Sequence, residues 1–169
     1  MKKMVLSVLV ENTAGVLNRV AGLFSRRGYN IDSLTVGETE DSGYSRMTIV
    51  VKGEDSVLEQ IRKQIAKLVD VKEIIELKDG LSVCRELILL KVSATPEQRQ
   101  QIIAITEIFR AKIVDVSASS MMVELTGNQA KLDAFIGLFD GFEIKELVRT
   151  GITGLTRGTL DEGMGDWAD

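Results

Sequence analysis

Apolar and polar residues alternate along Met4–Val10 (MVLSVLV), and this period of two, rich in valine and leucine, predicts a strand. From Val16 the spacing changes. Val16, Leu17, Val20, Leu23 and Phe24 recur as one face of a helix. Between the two patterns lies a turn of polar and small residues, Glu11–Gly15 (ENTAG). Asn12 or Thr13 is placed to cap the helix through its side chain, and Gly28 to stop it. Asn30–Val36 (NIDSLTV) and Tyr44–Val51 (YSRMTIVV) read as strands joined by the polar turn Gly37–Gly43. Val57, Leu58, Ile61, Ile65 and Leu68 mark a second helix, and Val71–Leu77 a fourth strand. The order is βαββαβ, a ferredoxin-like arrangement with both helices on one face of an antiparallel sheet.

Lys78–Glu86 (KDGLSVCRE) breaks the periodicity and reads as a linker, after which the same order returns. Leu87–Val92 is a strand, and TPEQ at Thr95–Gln98 is a helix start with a capping threonine and proline at the first helical position. Ile102, Ile105, Ile108 and Phe109 are expected on its buried face. Two strands (KIVDVSA and SMMVEL), a helix marked by Leu132, Phe135, Ile136 and Phe139, and the strand Glu143–Val148 complete the copy. Gly53 with Leu58 and Ile61 repeats at equal spacing as Gly127 with Leu132 and Phe135. The fold class is therefore α+β with two ferredoxin-like halves. The boundaries are 1–77 for the first domain, 78–86 for the linker, 87–158 for the second domain and 159–169 for a flexible acidic tail holding Trp167.

Composition narrows the function classes. The net charge of −4 supplies no global basic field for nucleic acid. No run approaches the roughly 18 apolar residues of a membrane span, and the short N-terminal apolar run lacks a cleavage site. A single cysteine, Cys84, excludes an internal disulfide framework and fits a reducing cytoplasm. With no histidine, Ser–His–Asp, Cys–His and His-ligated zinc chemistry are excluded. Cys84 beside Arg85 has no base to activate it, and the spacing of Glu11 and Asp32 requires no acid–base pair. No catalytic residue and no metal site is assigned.

The turn into the first helix carries the candidate chemistry. Helix N-termini favour anions, because unpaired N–H groups and the macrodipole point at them, and Gly15 lets a ligand approach the backbone. A carboxylate fits such a tip better than a phosphate, for which no Gly-Lys-Ser run is present. Leu9, Val10, Val16 and Leu17 flank the tip as an apolar lining, and Asn12 offers an acceptor to an ammonium group. Carboxylate, ammonium and a short aliphatic side chain describe an amino acid. The same stretch equally serves as an ordinary cap and turn, so the residues alone leave both readings open.

The string LSVLVENTAGVLNRVAGLFSRRGYNIDSLTVGETEDSGYSRMTIVVKG closely resembles the ACT domain of acetolactate synthase (acetohydroxyacid synthase) small regulatory subunits. The resemblance continues through KQIAKLVDV, TEIFRAKIVDVS, KLDAF and RTGITGLTRG, from Met4 to Gly158. It implies a non-catalytic cytoplasmic subunit that activates a large catalytic partner and confers feedback inhibition by a branched-chain amino acid, usually valine. Thiamine diphosphate, Mg²⁺ and FAD would belong to that partner. It also implies a homodimer of ACT domains with the effector at their interface. Carried over, the effector-binding residues are Asn12, Ala14, Gly15, Val16 and Leu17 of one chain, facing Asn30 and Ile31 of the other. A stand-alone amino-acid sensor acting on another protein is the alternative reading.

Overall fold

A computed structural model describes residues 1–158. The chain forms two compact units, one of Met1–Cys84 together with the segment from Ile152, the other of Arg85–Gly151.

In the first unit the elements are β1 (Lys2–Glu11), α1 (Val16–Arg26), β2 (Ile31–Glu38), β3 (Tyr44–Gly53), α2 (Asp55–Ala66) and β4 (Val71–Glu76). The strands pair antiparallel in the order β2-β3-β1-β4. The predicted alternation decides which face is buried. Met4, Leu6, Val8 and Val10 of β1 share a face with Met47, Ile49 and Val51 of β3, and Leu6 lies opposite Ile49. Against that face pack Val16, Val20, Leu23 and Phe24 of α1 and Leu58, Ile61 and Ile65 of α2. Each such side chain stabilises the unit by about 1.5–3 kcal/mol relative to exposure. Gly28 stands just past α1 with φ of 70°, as a helix stop requires.

The other sheet face is covered where the sequence predicted nothing. A ninth strand, β9 (Thr153–Thr156), pairs with the start of β5 (Ser82–Ser93). Ile152 joins Val5, Val50 and Leu77 in a small cluster with Ile75 and Cys84 packed against it. The Thr35 hydroxyl donates to the Ile152 carbonyl at 3.4 Å. The linker 78–86 is extended strand from Ser82 onward, because β9 supplies its hydrogen-bond partner. The segment 152–158, assigned to the second domain by order along the chain, belongs to the first unit by packing.

The second unit comprises the rest of β5, α3 (Pro96–Phe109), β6 (Lys112–Val116), β7 (Ser120–Gly127), α4 (Gln129–Gly137) and β8 (Ile144–Arg149). Its order, β6-β7-β5-β8, repeats the first sheet strand for strand. The expected capping box forms: Thr95 Oγ1 accepts from Gln98 N, and the Gln98 side chain accepts from Thr95 N. Phe135 makes edge-on contacts with Phe109 and Phe139 at 5.3 and 5.1 Å within the core of Ile88, Leu90, Val92, Ile102 and Leu132. Ile108, expected inside, is 74% exposed. Thr106 takes the inward position, four residues after Ile102, and its hydroxyl donates to the Ile102 carbonyl at 2.8 Å. The expectations for the acidic tail 159–169 and Trp167 fall outside the described residues.

Candidate functional site

Strand β1 delivers the chain to the helix tip, and three backbone-level contacts fix the turn. Glu11 N donates to the Asp70 carbonyl at 2.9 Å, and Asn12 N to the Gly43 carbonyl at 2.9 Å. The Asn12 side-chain amide donates to the Ser42 carbonyl at 3.0 Å. Asn12 therefore anchors the tip to the β2–β3 turn and is not the helix cap. Neither is Thr13. The residue at the cap position is Gly15, with φ 87° and ψ −9°, and no side chain caps the helix. That left-handed geometry favours glycine, so the turn needs Gly15 for its backbone.

The first i→i+4 bond of α1 runs from Arg19 N to the Gly15 carbonyl at 3.0 Å. N–H groups in the first turn have no carbonyl ahead of them within the helix; Val16 N makes a long bond of 3.5 Å to the Thr13 carbonyl, so the tip keeps part of its donor character. Asn12, Ala14 and Gly15 are exposed, and Leu17 is 46% exposed. Val16 and Val10, expected as apolar lining beside the tip, are buried in the core. The reason is helical phase. Val16 lies one turn before Val20 on the inward stripe, while Leu17 falls on the rim.

Two residues that the sequence reading missed complete the tip. Arg19 reaches Asp70 through Nε at 2.6 Å and Nη2 at 3.0 Å, a two-pronged pair across the end of the sheet. The remaining nitrogen, Nη1, lies 3.0 Å from where a Cβ on Gly15 would sit. The Asp70 side chain is only 8% exposed. Its hydrogen bonds from Arg19 hold its carboxyl below the usual range, and the same bonds raise the Arg19 guanidinium. The tip thus combines helix N–H groups with a fixed guanidinium edge whose charge Asp70 largely balances. Arg19 follows Gly15 by one helical turn, a spacing that places it at the tip, but nothing in sequence periodicity pairs it with Asp70.

The other half of the expected site lies elsewhere. Asn30 is exposed, with its amide 3.5 Å from Asp32. Ile31 opens β2, pairs with Val51 and packs against the core edge. A bulge follows it, and Asp32 faces Lys52 at 3.3 Å. These residues come after the C-terminus of α1, whereas the tip is at its N-terminus. At 1.5 Å per residue, α1 separates them by roughly 16 Å. Among the described residues no hydrogen bond joins the two groups, so one chain does not bring them onto one small ligand.

Known proteins resemble this chain along nearly its whole length. Residues 6–73 match the model of the AHAS small subunit-like ACT domain, and residues 85–158 that of the small subunit of acetolactate synthase. The acetolactate synthase isozyme 3 small subunit of Escherichia coli strain K12 is 51% identical over 155 residues, covering 91% of this chain and 95% of that protein. The acetolactate synthase small subunit of Mycobacterium bovis is 53% identical over 153 residues, covering 90% and 91%. The crystal structure of the acetolactate synthase small subunit from Thermotoga maritima superposes with a TM-score of 0.85 at 44% identity, covering 93% of this chain and 98% of that one.

Proposed function

The chain belongs to the acetolactate synthase small-subunit family, and we propose that it is the non-catalytic regulatory subunit of that enzyme. In branched-chain amino acid biosynthesis it would raise the turnover of a large catalytic subunit and render it sensitive to a branched-chain amino acid, valine first. Thiamine diphosphate, Mg²⁺ and FAD would reside on that partner. The observation that carries this reading is likeness to small subunits over about nine-tenths of both chains.

The site proposed for the effector is the tip of α1. Backbone N–H groups from Gly15 to Leu17 would hold the carboxylate, with Asn12 and Ala14 bounding the turn and exposed Leu17 offering aliphatic contact. Asn30 and Ile31 would come from a second copy, since α1 keeps the two groups of one chain apart. Helix-tip stabilisation of about 0.3–2 kcal/mol, burial of a valine-sized side chain at about 1.5–3 kcal/mol and hydrogen bonds to the charged groups at roughly 1.5–3 kcal/mol each leave a modest surplus over association costs of about 4 kcal/mol or more. An affinity between micromolar and millimolar follows, roughly −8 to −4 kcal/mol, which suits sensing. Inhibition further requires that valine bind one state of the complex better than another.

The test is reconstitution with the large subunit from the same source, assaying acetolactate formation with and without valine. Faster turnover that valine suppresses is expected. Gly15→Asp should retain activation and lose suppression, because its carboxylate stands beside Arg19 where the effector's would go. Unchanged turnover and no valine response would overturn the proposal.

A further inference from the structure

We infer that the groove between α1 and α2 seats an acidic segment of the catalytic partner; this rests on the regulatory-subunit reading above. The groove has a volume of about 390 Å³ and is lined by Leu23, Arg26, Arg27, Gln64, Lys67 and Leu68. Three of its six lining residues are cationic and none is acidic. Elsewhere in the unit Arg46 donates to Ser7 Oγ, Lys72 lies over the Tyr44 ring, and Lys2, Arg19, Lys52, Arg62 and Lys63 each face a carboxylate. Among the described residues Arg26, Arg27 and Lys67 do not, and all three are exposed. A chain of net charge −4 therefore gathers unmatched positive charge at one place.

Helix dipoles explain part of the cluster. A helix C-terminus favours cations, and Arg26 and Arg27 stand in the last turn and at the C-cap of α1, as Lys63 and Lys67 do for α2. The dipole acts on each helix end separately; what brings Arg26, Arg27 and Lys67 onto one groove is the packing of the two helix ends beside each other. The floor is aliphatic, with Leu23 buried and Leu68 half-buried, and the next residue, Val69, is 89% exposed. Cations around an aliphatic floor with an exposed valine at its edge fit a peptide segment carrying carboxylates and an aliphatic side chain. A small inorganic anion would leave the apolar part unused. Guanidinium groups suit such a segment because their planar donors match carboxylates two at a time.

The experiment titrates the large subunit with the regulatory chain and reads the concentration giving half-maximal activation, at low and at physiological salt. Arg26→Glu, Arg27→Glu and Lys67→Glu together should raise that concentration roughly 30-fold at low salt and abolish its salt dependence. Valine binding to the free variant should stay within about twofold of the parent, and this doubles as a check of folding. The single variant Arg27→Glu, at an exposed position past the helix, should shift the midpoint by at least about threefold even if the triple variant fails to fold. An unchanged midpoint in a folded variant overturns the inference and leaves the regulatory reading intact. Two specific alternatives would also overturn it when the midpoint is unchanged: pyrophosphate binding lost in the triple variant identifies a small-anion site, and altered sedimentation of the free chain identifies a second copy as occupant. If the parent chain does not activate the large subunit, both the regulatory reading and this inference fall.

Discussion

Gly15→Ala tests the construction of the α1 tip, and its cost can be worked from the geometry. At φ 87° an alanine sits in the left-handed region, which costs about 1–2 kcal/mol for an L-residue. Reduced freedom of the unfolded chain returns about 0.4–1 kcal/mol. The added methyl also meets Arg19 Nη1 at 3.0 Å, and Arg19 cannot simply swing away, because Nε and Nη2 are held by Asp70 at 2.6 and 3.0 Å. Gly28 provides the control: its φ is 70°, but a methyl there meets nothing within 4 Å. Gly28→Ala should therefore cost only the backbone part, on the order of 0.5–1 kcal/mol. Gly15→Ala should cost about 0.5–1 kcal/mol more, and the excess should vanish in an Arg19→Ala background. Urea unfolding read by exchange of the buried β1 and β3 amides measures all of these in the first unit. Equal costs at the two glycines in the parent background would refute the claim that Arg19 is fixed against the tip.

Other outcomes follow from the same contacts. Asp70→Asn should lower the neutral-pH stability of the first unit and flatten its acid limb. In the parent, the stability contributed by this carboxylate is present above its unfolded pKa near 3.9 and is lost as pH falls through the lower folded value, which a pH series of unfolding curves would show. Phe135→Ala removes the ring in contact with both Phe109 and Phe139 and should cost about 3–5 kcal/mol, measured by denaturant unfolding of the second unit. Gly154→Ala places a methyl 2.8 Å from the Val83 carbonyl and 2.7 Å from Cys84 Sγ, a clash that backbone cannot absorb. Strand β9 should lift, seen as faster amide exchange at Thr153–Thr156 and faster alkylation of Cys84.

What could be read from the chain was whatever periodicity encodes. The β1 alternation and the α1 face gave most of the first core, and the Gly53 and Gly127 repeats gave the duplicated plan, because burial on one face imposes a period. β9 escaped because a short strand pairing with a distant segment leaves no period; Gly154, tight against Cys84 and Val83, was its only local trace. At the tip, Gly15 is legible as a residue that lets a ligand approach the backbone, but its left-handed cap geometry is not, and Asn12 reads as a cap because its true partner, Ser42, lies in another turn. The Arg19–Asp70 pair is a tertiary contact and has no local signature. Asn30 and Ile31 are recognisable as site residues only through family resemblance, since the contact that would give them that role lies between chains.

The two proposals meet in one physical route. An effector at the α1 tip would act on the edge of Arg19, and Arg19 is clamped to Asp70. Asp70 ends the short turn that carries Lys67 and Leu68, two lining residues of the basic groove, and the Val71 N–H donates back to the Leu68 carbonyl at 3.0 Å. The other side of the groove, Arg26 and Arg27, is the far end of α1 itself. Tip and groove are therefore joined twice, once through a packed helix and once through an ion pair whose carboxylate is buried and whose guanidinium is half-exposed. Both connections are stiff: α1 is held by Val16, Val20, Leu23 and Phe24 in the core, and the pair is two-pronged. A stiff double link passes on a small displacement where a single flexible one would absorb it. On this account valine need not enlarge or close the groove. A change of a few tenths of an ångström at Arg19 would shift Lys67 and Leu68 against Arg26 and Arg27, altering how well the partner's segment fits, and differential fit between two states is all that a population shift requires.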